Sequence, residues 1–317
     1  MKKTVLIAAL LFGAWVSLNN PYSNIYISSL KNGIIPAAGH ESALLREIET
    51  KAAEYESEPT DARMDPVWKA IPGYNGLKVD IGQSYKKMRK SGEFNPDKLV
   101  YKQVQPKVHL KDLPPSAVYK GNPQKPMVSF IINVAWGNEY LSGMLATLKE
   151  HNVSASFFLE GRWAKNNPDL AKMIAEAGHE IGNHSFSHPN MKLLSPPKIN
   201  EEIKKTNEVI EAVTGKRASW FAPPSGSYKD EVVKIAAAHD LGTVMWSVDT
   251  IDWQKPTPAI LLNRVMGKVH NGALILMHPT KSTADSLNQL IIQLKEKDLQ
   301  IGTVSEMLSE NRVMAKQ

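Results

Sequence analysis

The sequence predicts an α/β fold: a parallel sheet rolled into a closed or nearly closed (β/α) barrel. Three observations carry this. From about residue 125 onward, short apolar runs alternate with amphipathic stretches, and repeated βα units imply a parallel sheet. About seven such units fit the available length, which suits a barrel. Finally, the residues with chemical potential, including His184, His188 and His278, follow directly on apolar runs, at the strand ends where barrels place function.

The chain has 317 residues, enough for one large domain and a smaller one. It has no cysteine, so disulfides, thiolate metal ligands and a cysteine nucleophile are excluded. A formal charge of +6 is too diffuse to imply nucleic acid, but it tolerates an anionic wall or membrane. Lys2 and Lys3 precede an uncharged apolar run from Thr4 to Leu18, the pattern of an export signal. No clear small-x-small cleavage site follows, so residues 1–20 are read as a signal peptide or retained membrane anchor, with the rest outside the cytoplasm. The run is shorter than the roughly 20 residues of a spanning helix.

Residues 21–60 read as a linker with a charged helix between Glu41 and Glu58. Residues 61–122 read as a small module, with a short helix over Asp80 to Arg89 and a strand over Leu99 to Val104. Trp68, Tyr74 and Tyr85 in this region serve either packing or glycan contact. Pro114-Pro115 and Gly121-Asn122-Pro123 mark its exit. Residues 123–312 form the main domain.

Within that domain, Met127 to Val134 is a buried strand, Tyr140 to His151 is amphipathic and Val153 to Leu159 is a strand. Pro168 to Ala177 is a helix, with Asn167 as N-cap, Pro168 at the first helical position and Gly178 past its end. Glu180 to Asn183 is a strand and Pro197 to Thr214 a helix of 3.6 period. Further strands are expected at Trp220-Phe221, Thr243 to Val248, Ala273 to Met277 and Gln300 to Val304. The helices between them are Asp230 to Ala238, Pro258 to Val269 and Thr283 to Lys297.

His184 and His188 are separated by three residues, a spacing that lets two imidazoles reach one metal ion. Pro189 discourages a helix through the pair, which places it on a strand-to-helix loop. Asp249 and Asp252 lie on a loop with Trp253 after a late strand, and His278 ends the next one. An aspartate there can orient an imidazole and raise its pKa. No G-x-S-x-G elbow or phosphate loop is present, and Ser187 and Ser225 lack an evident base.

Four stretches, Ala155 to Gly161, His184-Ser185-Phe186-Ser187-His188, Trp246 to Trp253 and Ile275 to His278, with the ending Ile301 to Leu308, resemble the polysaccharide deacetylases of carbohydrate esterase family 4. The resemblance implies a distorted (β/α) barrel and removal of N-acetyl groups from peptidoglycan-type glycans. The N-terminal part resembles the sporulation-associated members. Carried over residue by residue, the family pattern makes His184 and His188 metal ligands, normally for zinc. His278 becomes the general acid, assisted by Asp252, and Trp253 and Pro224 contact substrate. Three positions depart. The base position is Ala135, the third-ligand position is Trp136, and the arginine that holds the base is Ala222.

These losses are mutually consistent, because an arginine without its carboxylate would be a costly unpaired charge. Two imidazoles hold zinc less well than the three protein ligands of catalytic sites, so zinc is expected to bind weakly or not at all unless Glu139 or Asp249 substitutes. The expected function is a cell-envelope member of this family with impaired or lost catalysis, which binds N-acetylglucosamine-containing wall glycan or an envelope partner. An active N-deacetylase with a rearranged site is the alternative.

Overall fold

The computed structural model describes residues 43–313, together with Asn20, Ile25 and Ser28. The expected signal or anchor segment lies outside the described residues, apart from Asn20. Among those described, no helix is long and apolar enough to cross a membrane.

The chain divides into two compact units, residues 1–57 with 77–102, and residues 58–76 with 103–317. The division differs from the expected separate module over 61–122, because that stretch contributes to both units. The first unit contains α1 (Ala43–Ala52), and its second helix α2 (Ile81–Met88) starts where the Asp80 carboxylate accepts the Gln83 amide at 3.0 Å. Leu44, Ile48, Val79, Met88 and Leu99 form its small core.

In the second unit, β1 (Arg63–Asp65), β2 (Lys69–Ile71) and β5 (Ala117–Val118) join the main sheet; β3 (Gly76–Val79) and β4 (Tyr101–Val104), through both of which the division runs, make a separate pair. The expected strand over Leu99 to Val104 is therefore shorter. The main strands are β6 (Met127–Val134), β7 (Ser156–Leu159), β8 (Glu180–Asn183), β9 (Trp220–Phe221), β10 (Gly242–Val244), β11 (Val248–Asp249), β12 (Ala273–Met277) and β13 (Gln300–Gly302). Their order is β1-β2-β5-β10-β9-β8-β7-β6-β12-β11, with β13 also on β6. From β5 to β11 every pair is parallel.

The result is a mixed α/β half-barrel. Its ring is completed only by a bridge between Lys120 and Ala273 and by the segment 245–247, whose ends bond to Val118 and Leu274. That crossing corrects the single strand expected over Thr243 to Val248. Every residue of β6 is buried, as its run of β-branched and aromatic residues requires in a sheet covered on both faces.

The outer layer comprises α3 (Asn138–Glu150), α4 (Gly161–Asn166), α5 (Pro168–Glu176), α6 (Pro196–Thr214), α7 (Asp230–Ala238), α8 (Pro258–Met266), α9 (Lys281–Glu296) and α10 (Val304–Leu308). Helix α4 was not expected. Gln300 to Val304 is shorter as a strand because Val304 opens α10, capped by the Thr303 hydroxyl and the Glu306 carboxylate. Asn167 precedes α5 but makes no side-chain cap; its amide bonds Trp163 O and Asn138 instead. Among the three aromatic residues considered for glycan contact, Tyr74 is buried under the Arg312 guanidinium, 4.5 Å from its ring centre. Tyr85 packs in the first unit.

Lys125 is the one buried lysine among the described residues. Its ammonium donates to the carbonyls of Glu306 (2.5 Å) and Ser309 (2.8 Å), closing the end of α10. Burial lowers its pKa to about 8. Lys125→Met leaves those carbonyls without a donor, and is expected to cost about 2–4 kcal/mol in denaturant unfolding; a loss under 1 kcal/mol would contradict the assigned role.

His179 is also buried. Its ring centre lies 5.1 Å from that of Phe157, and its Nδ1 accepts the Ala155 amide at 3.3 Å. Burial pushes its pKa down to about 4. The unfolded chain therefore binds more protons than the folded one between pH 6.5 and 4. Stability is full above that window and declines as pH falls through it, by up to about 3 kcal/mol from this residue. In His179→Gln the slope of unfolding free energy against pH should flatten there; an unchanged slope would assign the acid sensitivity elsewhere.

Candidate functional site

The site lies at the carboxyl ends of β6, β8, β9, β11 and β12. His184 directly follows β8 and is almost fully buried. Its Nδ1–H donates to the Ala222 carbonyl at 2.7 Å, which fixes the tautomer and leaves Nε2 free to act as a ligand. Burial, reinforced by the neighbouring His188, pushes its pKa down to about 3. Burial lowers that of His188 too. The two ring centres lie 5.1 Å apart in an edge-on arrangement, so both rings can face one ion.

The loop between them is tightly tied. Ser185 and His188 both adopt positive φ, 63° and 56°. The Asn183 side chain accepts the Ser185 amide, and the Ser185 hydroxyl accepts that of His188. One carboxylate of α6, Glu202, accepts the Phe186 and Ser187 amides at 2.8 Å and the Ser187 hydroxyl at 2.7 Å. Sequence reasoning missed Glu202, since nothing distinguishes it from the other acidic residues of a charged helix.

Asp252 and His278 form a second group. The fully buried Asp252 carboxylate accepts the His278 Nδ1–H at 2.8 Å, the His278 backbone amide at 2.6 Å and the Thr283 hydroxyl at 2.6 Å. His278 is thereby held with Nε2 outward. Thr283 was also missed, although its place in the first turn of the helix after His278 gave a weak signal. The Arg264 guanidinium bonds the Thr250 carbonyl at 2.7 Å and steadies the Asp249–Trp253 loop.

A cavity of about 450 Å³ unites these parts. Ala135, Trp136, His184, His188, Trp253 and His278 line it, with Asn133, Ser225, Trp246, Asp249 and Leu276. Ala222 is buried behind it, serving as the carbonyl partner of His184. Pro224 is buried in a turn and does not line the cavity; its neighbour Ser225, at φ 52°, does. Trp136 is 47% exposed and its ring stacks on His278, with centres 5.9 Å apart and planes 9° from parallel. Gly137 permits this: a side chain there would lie 2.0 Å from the Pro279 carbonyl oxygen.

Among the described residues, no group of three or more His, Cys, Asp or Glu side chains could hold a metal ion. Asp249 and Glu139 therefore do not complete a site with the two histidines. The donor set present does not fit a three-ligand zinc centre.

The sequence model of the polysaccharide deacetylase family matches residues 120–244. The crystal structure of wild-type BA3943 from Bacillus anthracis, described as a CE4 family pseudoenzyme, superposes with a TM-score of 0.83 at 52% identity. That match covers 86% of this chain and 97% of the other. The chain belongs to the polysaccharide deacetylase family. A BA3943 mutant, described as having restored enzymatic activity, superposes equally well. Uncharacterized protein YlxY of Bacillus subtilis is 54% identical over 316 residues, 99% of each chain. The peptidoglycan-N-acetylglucosamine deacetylase of Bacillus cereus is 35% identical over 179 residues, 55% of this chain and 65% of that protein. The Asp252–His278 pair stands at one side of the site, and the end of β6 presents a methyl group and an indole at Ala135 and Trp136.

Proposed function

We propose that this protein is a cell-envelope glycan-binding member of the deacetylase family whose hydrolytic activity is lost or severely impaired. The observation that carries the reading is the pair Ala135 and Trp136 at the end of β6, which leaves two imidazoles without a third protein ligand among the described residues. A water molecule there would have a methyl group, not a carboxylate base, at position 135, and losing such a base typically costs about 10²–10⁴-fold in rate. The cavity keeps features suited to a sugar: concave walls, two indoles at the rim and a few polar groups at depth. The kinship with a described pseudoenzyme at 52% identity supports the reading. Peptidoglycan is the glycan class because the named deacetylases among the relatives act on it. The basic and apolar N-terminus supports a location outside the cytoplasm, secreted or anchored.

The deciding experiment is acetate release from N-acetylglucosamine oligomers with added zinc or cobalt, run beside sedimentation with purified cell walls. Binding without release above the protein-free control is expected. The intact Asp252–His278 pair favours the competing reading, an active enzyme with a rearranged site. Metal-dependent turnover that disappears in His184→Ala would establish that reading and overturn ours.

A further inference from the structure

A second cavity, of about 710 Å³, opens on the far side of the indoles that rim the first, and Trp136 and Trp253 line both. The two differ in character. The first is walled by indole, aliphatic and imidazole groups, with Asp249 as its single carboxylate. The second carries Glu139, Lys255, Lys281 and Asp285 beside Tyr140. Lys281 and Asp285 neutralise each other at 2.7 Å. The Glu139 carboxylate and the Lys255 ammonium have no side-chain hydrogen bond or ion pair among the described residues.

The geometry points to a peptide subsite: the second cavity receives the charged peptide substituent of a glycan strand while the first holds the uncharged sugar. This rests on the glycan-binding reading above and names the ligand class within it. An uncharged sugar offers nothing to the second cavity's free ions. A short peptide with both a free amine and free carboxylates offers a partner to each, the amine to Glu139 and a carboxylate to Lys255. Trp136 and Trp253 form a shared wall, so a single ligand can lie across them and occupy both sides. Each cavity is of the size that encloses a small ligand. Because the charges are solvent-facing, they contribute selectivity more than affinity and are screened by salt.

The test is calorimetric titration of the full chain with two probes: the N-acetylglucosaminyl-N-acetylmuramic acid disaccharide with its lactyl carboxyl capped as the uncharged N-methylamide, and the same disaccharide carrying there a pentapeptide with a free amine and free carboxylates. The peptide-bearing probe should bind at least about 10-fold more tightly at low salt. Lys255→Glu and Glu139→Lys should each reduce that preference several-fold and leave the bare disaccharide unaffected. Equal binding of both probes overturns the subsite and leaves glycan binding standing. A preference that survives both charge reversals also overturns it, since the peptide would then be read elsewhere. If neither probe binds, glycan binding itself fails and the subsite with it.

Discussion

Installing aspartate at both 135 and 136, with arginine at 222, should convert this cavity into a zinc-dependent deacetylase centre. Trp136→Asp puts a carboxylate at the end of β6, in the cavity that His184 and His188 line, where it should serve as a third ligand. The gain in zinc affinity should exceed the ~10–100-fold that outer-shell partners alone carry. Ala135→Asp supplies the base, worth about 10²–10⁴ in rate once metal is bound. Ala222 is 1% exposed, so Ala222→Arg by itself buries an unpaired charge and should destabilise by about 3 kcal/mol or more. Adding Ala135→Asp should recover much of that, a coupling that a double-mutant cycle measures directly. Zinc titration, acetate release and denaturant unfolding on the single, double and triple variants check each step. A triple variant that folds but binds zinc no better than the parent would refute the assignment of these positions.

Asp252→Ala should be the most damaging single change at the site. It strips the partner from three donors at once, the imidazole and backbone amide of His278 and the hydroxyl of Thr283. Each buried donor left unpaired costs about 1–3 kcal/mol, so a loss of about 3–5 kcal/mol is expected. That corresponds to roughly 10 °C in Tm for a domain of this size. His278 would also lose its orientation, and the Trp136 ring its stacking surface. Differential scanning calorimetry measures the first effect and tryptophan fluorescence the second. A Tm within 2–3 °C of the parent would mean that solvent replaces the carboxylate easily and that the pair is not held as described.

Much of this was legible in the sequence because long apolar runs announce themselves. β6, β8 and β12 fall where the pattern puts them, and His184 and His278 follow at their ends. The substitutions at 135, 136 and 222 were readable as departures from a motif, and the cavity does bring those positions together or sets them just behind its wall. What was not legible depends on partners distant in sequence. The break at residues 245–247 has no glycine or proline to mark it, and only the bonds to Val118 and Leu274 reveal it. β5 is two residues long, too short to show a period, yet it ties residues 103–122 into the main sheet. Glu202 acts on a loop 15 and 16 residues before it, a relation that helix periodicity cannot express. The second cavity had no sequence signal, since Glu139 and Lys255 are ordinary surface charges until the fold brings them together.

The incorporation of β1, β2 and β5 into the main sheet bears on how the protein tolerates proteolysis and trimming. A fragment beginning at residue 123, the expected start of the main domain, would bare the side of β10 that β5 now occupies. It would also lose the bridge from Lys120 to Ala273 that helps complete the ring. An uncovered strand is a template for pairing with another chain. Such a fragment should self-associate rather than persist as a soluble barrel, so the stretch ahead of the main domain acts as a built-in guard against aggregation.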